Sequence, residues 1–110
     1  MPVWQKALEL SVMVFKLSAT LPRCEDYGLT SQIRKSSNSV SGNIAEAFGR
    51  KSKKDKSNFY IIARGSAYET QSHLLYGQEV DYFKQGDVED IFIGYNELIH
   101  ELNKILNSLC

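Results

Sequence analysis

Residues 88–109 read VEDIFIGYNELIHELNKILNSL, and within them Val88, Ile91, Tyr95, Leu98, Leu102, Ile105 and Leu109 recur at alternating steps of three and four. An α-helix completes a turn about every 3.6 residues, so this spacing keeps one continuous apolar seam on one side of a helix. It is the seam by which helices pack side by side in a left-handed bundle. Such a helix cannot bury its seam alone, and the rest of the chain has to supply the partners.

Working upstream, Asp87 and Asp90 have the spacing of a helix-capping pair, and Gly86 reads as the stop of the helix before it. That preceding helix is predicted over Lys53 to Phe83 and opens with a second capping pair, Ser52 and Asp55. Ala63, Ser66, Thr70 and Gly77 give it a stripe of small residues, while Ile61, Tyr68, Leu75 and Tyr76 form a bulkier second side. Gly49 ends an earlier helix that begins near Leu29 and carries Leu29, Ile33, Val40, Ile44, Ala47 and Phe48 on one face. Ser36, Ser37, Ser39, Ser41 and Gly42 lie among these residues, lowering helix propensity but letting a neighbouring backbone come close. A first helix is predicted from Val3 to Leu21, stopped by Pro22. Its apolar residues, Trp4, Ala7, Leu8, Leu10, Val14, Phe15, Leu17 and Leu21, span an arc of about 200°, wider than one core stripe requires. Four helices with short connections form an antiparallel up-and-down four-helix bundle, an all-α fold. The surplus apolar surface on the first and third helices calls for a second copy of the chain.

The chain has 110 residues, 43% of them hydrophobic, which suits one domain spanning 1–110 and is too apolar for disorder. No run of apolar residues is long enough for a membrane span, and no signal peptide is recognisable, so a cytoplasmic protein is expected. Cys24 and Cys110 fit neither a disulfide framework nor a zinc site and are read as reduced thiols.

The run Glu25-Asp26-Tyr27-Gly28-Leu29-Thr30-Ser31-Gln32-Ile33-Arg34-Lys35, then Asn43-Ile44-Ala45-Glu46 with Phe48-Gly49-Arg50, then Phe59 and Ile62-Ala63-Arg64-Gly65-Ser66 before Glu69, resembles a bacterial four-helix-bundle family. That family is the ribosomal RNA intervening-sequence proteins, related to the accessory proteins of diversity-generating retroelements. The opening Val3-Trp4-Gln5-Lys6-Ala7 is similar to the family's start, whereas Ala47 and Ser41 replace a usual Gly and a frequent Pro. The resemblance implies a bundle assembling into a ring, typically a homopentamer, with no established enzymatic activity. It also implies nucleic acid, and a reverse transcriptase or other nucleoprotein, as partners of the relatives.

Thirteen basic and thirteen acidic residues cancel, yet they are unevenly placed. Arg34 to Arg64 holds eight positive and two negative side chains, net +6, and Gly65 to Cys110 holds two and eight, net −6. Arg50, Lys51, Lys53, Lys54 and Lys56 crowd the connection between the second and third helices. The last three lie at a helix N-terminus, where the macrodipole disfavours positive charge by a few tenths of a kcal/mol each. Cations placed against that local rule suit a site for phosphate, RNA or DNA, although a charged turn also serves simply as a solvated surface. Tyr60, close by, could stack on a base, but a helical Tyr more often serves the core or an interface, and that reading is preferred.

Glu97-Leu98-Ile99-His100 has the Glu-x-x-His spacing that di-iron bundles use twice, but it occurs once and off the apolar seam, so no metal or other cofactor is expected. Neither His73 nor His100 stands in a triad-like context, and no glycine-rich phosphate loop is present. The expected function is therefore a non-enzymatic oligomeric interaction module that binds nucleic acid or a nucleoprotein through the basic corner. The alternative is a purely protein-binding scaffold in which Asp87, Glu89 or Asp90 of one subunit pairs with the basic corner of the next.

Overall fold

Each of the four periodic stretches becomes a helix in the computed structural model, which covers residues 1–110. Helix α1 spans Pro2–Ser18, α2 Leu29–Gly49, α3 Lys53–Glu79 and α4 Gln85–Ser108, with a short 3-10 turn at Arg23–Glu25 between α1 and α2. Each helix packs on the next and α1 closes on α4, while neither diagonal pair comes into backbone contact. The result is a square up-and-down bundle 43 Å long and 24 by 19 Å across. One end carries the α2–α3 turn with the start of α1 and the finish of α4. The opposite end carries the α1–α2 and α3–α4 connections.

The core takes Val3, Ala7, Leu10 and Val14 from α1, Leu29, Ile33, Val40 and Ile44 from α2, and Tyr60, Ala63, Ala67 and Leu74 from α3. From the α4 seam, Val88, Ile91, Tyr95, Leu98 and Leu102 are buried, and Ile105 and Leu109 pack half-buried against them. Between α2 and α3 the packing is thin and partly polar. The Ser36 and Thr70 hydroxyls pair at 2.8 Å, those of Ser39 and Ser66 at 2.9 Å, and Asn43 Nδ2 donates to both the backbone oxygen and the hydroxyl of Ser39. These short side chains bring the two backbones close while leaving few buried polar atoms unpaired.

The helix boundaries follow local chemistry, with some corrections to the sequence expectation. Gly49 is the last residue of α2, and the Ser52 hydroxyl accepts the Asp55 amide at 3.1 Å to cap α3, as the sequence predicts. Helix α1, however, ends at Ser18 rather than Leu21. The residue before a proline is driven out of the helical region, so the chain releases ahead of Pro22 through single turns from Thr20 to Leu17 and Leu21 to Ser18. Helix α3 ends at Glu79, not Phe83, and Gly86 lies inside α4 instead of stopping its predecessor. Asp87 and Asp90 likewise cap nothing, since Lys84 holds the N-cap position of α4. The stop is supplied by Asp81, whose φ of 65° reverses the chain. The Tyr82 and Phe83 amides both donate to the Gly77 carbonyl, at 2.8 and 3.1 Å, and the Asp81 amide donates to Gln78. That turn folds the Phe83 ring over Gly77, where there is no side chain to obstruct it.

Candidate nucleic-acid interface

Helix α2 releases the chain at Arg50, an extended residue, and α3 restarts three residues later, so five cations from one short stretch occupy a single corner at one end of the bundle. The structure divides them into two groups. Arg50 lies over the Phe59 ring at 4.6 Å and pairs with Glu46 at 3.2 Å, one helical turn back. Lys56 reaches across to the last carbonyls of α2, donating to Ala47 and Phe48 oxygens at 3.2 Å each. Its ammonium thereby caps the negative end of that helix. Lys51, Lys53 and Lys54 are exposed, and no carboxylate or hydrogen-bond acceptor of the chain engages them. Beside them Phe48 stands 67% exposed, with the Lys56 ammonium 6.0 Å from its ring centre.

The predicted cluster thus divides into two cations that hold the corner's shape and three left free. The role of Lys56 had no signal in the sequence, because it depends on the angle of the α2–α3 turn. Phe48 was expected on the core face of α2 and is instead an exposed aromatic beside the free lysines. Tyr60 takes the core role preferred for it over base stacking: its side chain is 4% exposed and turned into the core, where burial raises its pKa.

Elsewhere the surface separates into distinct regions. Asp87, Glu89 and Asp90 are exposed at the end of the molecule opposite the basic corner, because α3 spans about 39 Å between Lys53 and Glu79. Glu97 forms a 2.7 Å ion pair with Lys6, His100 is exposed, and nowhere do three His, Cys, Asp or Glu side chains gather as a metal would require. Leu8, Val12, Met13 and Phe15 remain exposed on α1, as do Ile61, Ile62, Tyr68, Leu75 and Tyr76 on α3. No helix is long and apolar enough to cross a membrane.

The fold and sequence have clear relatives. A crystal structure of a protein of unknown function from the S23 ribosomal protein family of Bacteroides thetaiotaomicron superposes with a TM-score of 0.88 at 28% identity, over 94% of this chain and 97% of that one. A search of curated proteins finds no match. The family model described as 23S rRNA-intervening sequence protein matches residues 1–108, and with the same bundle seen in the crystallised relative the chain belongs to the 23S rRNA-intervening sequence protein family.

Proposed function

We propose that the protein is a non-enzymatic, ring-forming bundle that binds nucleic acid or a nucleoprotein through the corner between α2 and α3, in the cytoplasm. One observation carries this reading: Lys51, Lys53 and Lys54 have no partner within the chain, while Arg50 and Lys56 tie down the corner on which they stand. A single corner is a modest patch. Copies sharing one ring axis repeat it on the same face, and multivalency then compensates for the chain's zero net charge. Phe48 supplies an apolar ring beside the lysines on which a base can stack without sequence preference. Five chains per ring is the count that the family resemblance suggests.

The purely protein-binding scaffold draws on a different observation, the exposed apolar residues of α1 and α3. Its charge pairing, with Asp87, Glu89 or Asp90 meeting the basic corner, needs copies stacked end to end, because the two regions sit at opposite ends of the bundle.

A gel-shift titration on single-stranded and duplex RNA and DNA at two salt concentrations, run beside light scattering, tests the proposal. Binding should weaken steeply with salt and show little sequence preference. The Lys53→Glu, Lys54→Glu variant should lose about tenfold or more in affinity, with the oligomer intact. Absence of binding at low salt overturns the nucleic-acid reading. An oligomer that loosens in the variant favours the scaffold.

A further inference from the structure

We infer that the outer face of the last two turns of α2 seats an unpaired base, so that the basic corner takes single-stranded nucleic acid in preference to duplex. This rests on the nucleic-acid reading above and names the form of nucleic acid that the corner selects. Lys51, Lys53 and Lys54 cannot make that selection, because they meet phosphates, which a strand carries whether paired or not. The two forms differ in the flat faces of their bases. A duplex covers both faces of each base with its neighbours, whereas a single strand can splay one out for stacking. From Arg50 to Lys56 five cations stand against one carboxylate, Asp55, so charge holds either form at the place where a base face is tested.

Three features beside the lysines fit such a face. Phe48 is 67% exposed, one position after the buried Ala47, so its ring is available to a partner from outside the chain. Next to it lies a shallow hollow of about 410 Å³ lined by Gly42, Ala45, Glu46, Gly49 and Arg50. Ala45 precedes Phe48 by three positions and so neighbours it on the helix surface, and a Cβ added at Gly42 or Gly49 would point into open space. The floor of the hollow is therefore low and open, with an aromatic ring on one side. Its other side is held in place: Arg50 stacks 4.6 Å over the Phe59 ring and pairs with Glu46 at 3.2 Å. The one carboxylate of the hollow thus faces a guanidinium and not an approaching phosphate. Lys56, anchored on the Ala47 and Phe48 carbonyls, keeps a fixed positive charge 6.0 Å from the Phe48 ring centre. The seat also has the right offset from the cations. Three residues separate Phe48 from Lys51, no more than about 11 Å of chain, which is about three phosphate spacings along a strand. A base on Phe48 leaves the flanking phosphates of its own strand within reach of the free lysines.

Two labelled probes test this in a low-salt binding titration: a poly-dT strand, which does not pair with itself, and a blunt DNA duplex of the same length. Each variant is compared with wild type on one probe at a time, so the different charge densities of the probes cancel. Phe48→Ala should weaken binding to the strand by about fivefold or more and leave the duplex unchanged, since a stacked base is lost and no phosphate contact is. Gly42→Leu fills the hollow with a better helix former and should show the same pattern without loss of helix content by circular dichroism. Phe48→Trp should keep strand binding, and its added indole fluorescence should be quenched by the strand but not by the duplex; wild type, with Trp4 as its sole indole, is the reference. Lys53→Glu with Lys54→Glu should weaken both probes alike. A Phe48→Ala protein that loses both probes equally, or neither, overturns the seat and leaves the corner as a plain phosphate site. Loosened assembly of Phe48→Ala in light scattering places the ring in a subunit contact and overturns the seat as well. Wild type that binds neither probe overturns the nucleic-acid reading itself.

Discussion

Replacing Gly77 with alanine sets two effects of opposite sign against each other. In an open helix the substitution stabilises by about 1 kcal/mol, because alanine loses less backbone entropy than glycine. Here the new Cβ would lie 2.3 and 2.4 Å from two carbons of the Phe83 ring, against the 3.5–4.0 Å at which carbon atoms rest. The ring is 5% exposed and follows a turn fixed by two amides on the Gly77 carbonyl, so it cannot swing aside as the tip of a flexible chain would. Overpacking of this kind costs about 1–3 kcal/mol, and expelling the ring forfeits about as much burial. With two ring carbons inside 2.5 Å the cost falls in the upper part of that range, about 2–3 kcal/mol, and against a gain of about 1 the net expectation for Gly77→Ala is a loss of about 1–2 kcal/mol. Gly65, also in a helix but with nothing within 4 Å of its built Cβ, should instead gain about 0.5–1 kcal/mol on the same change. Urea unfolding at one fixed protein concentration reads both through the midpoint, with the slope checked for constancy. In a Phe83→Ala background the obstruction is gone and Gly77→Ala should become stabilising, which makes the cycle strongly non-additive. A Gly77→Ala protein as stable as wild type with Phe83 in place would refute the reasoning.

Further outcomes concern two tyrosines. Tyr95 is fully buried with no protein partner for its hydroxyl, so Tyr95→Phe should stabilise by about 1 kcal/mol in the same urea assay. Burial raises the Tyr95 pKa, so above pH 10 the unfolded chain releases a proton that the folded one retains; the alkaline loss of stability should be smaller in Tyr95→Phe. The Tyr82 hydroxyl donates to Glu25 at 2.9 Å, and Glu25 also accepts the Leu29 amide, which together lower the Glu25 pKa. That stabilisation is complete above the ordinary pKa of 4.5 and is lost as pH falls through the lowered value, so Tyr82→Phe should flatten the acid limb of a stability–pH curve. Tyr82 itself, pushed up to about 12 chiefly by the Glu25 hydrogen bond, should titrate late in ultraviolet absorbance, and Glu25→Gln should bring it back toward 10.

The bundle was legible because its signals are short in range. The three-and-four spacing after Val88, the Ser52 cap and the Gly49 stop each depend on neighbours within two turns, and each appears where the sequence places it. The α3–α4 connection was not, because the left-handed position is held by Asp81, a residue that usually signals other things, while Gly86 sits harmlessly in a helix. The basic corner was legible as a cluster of charge. Its division of labour was not, since Lys56 meets carbonyls of Ala47 and Phe48 only after the turn has brought two helices together. Tyr60 was read for the core in preference to base stacking, and α3 does turn it there: nearness in sequence to a charged turn does not fix which way a helical side chain points.

The hydroxyl-lined contact between α2 and α3 also sets how this surface can vary through evolution. Ser36 and Ser39 on one helix meet Thr70 and Ser66 on the other through hydroxyl pairs of 2.8 and 2.9 Å, a closeness that leaves little volume for a larger side chain. Size is therefore constrained there far more tightly than polarity. Drift among Ala, Ser, Thr and Gly keeps the helices at their spacing, and Ser36 and Thr70 can become apolar singly as well as together, since each hydroxyl also has a carbonyl of its own helix, that of Ile33 or Ser66, to donate to. A leucine at any of these sites would pry the pair apart, and with it the turn on which Arg50 to Lys56 are displayed. Across distant members of the family, smallness at these positions should outlast the identity of the residues that provide it.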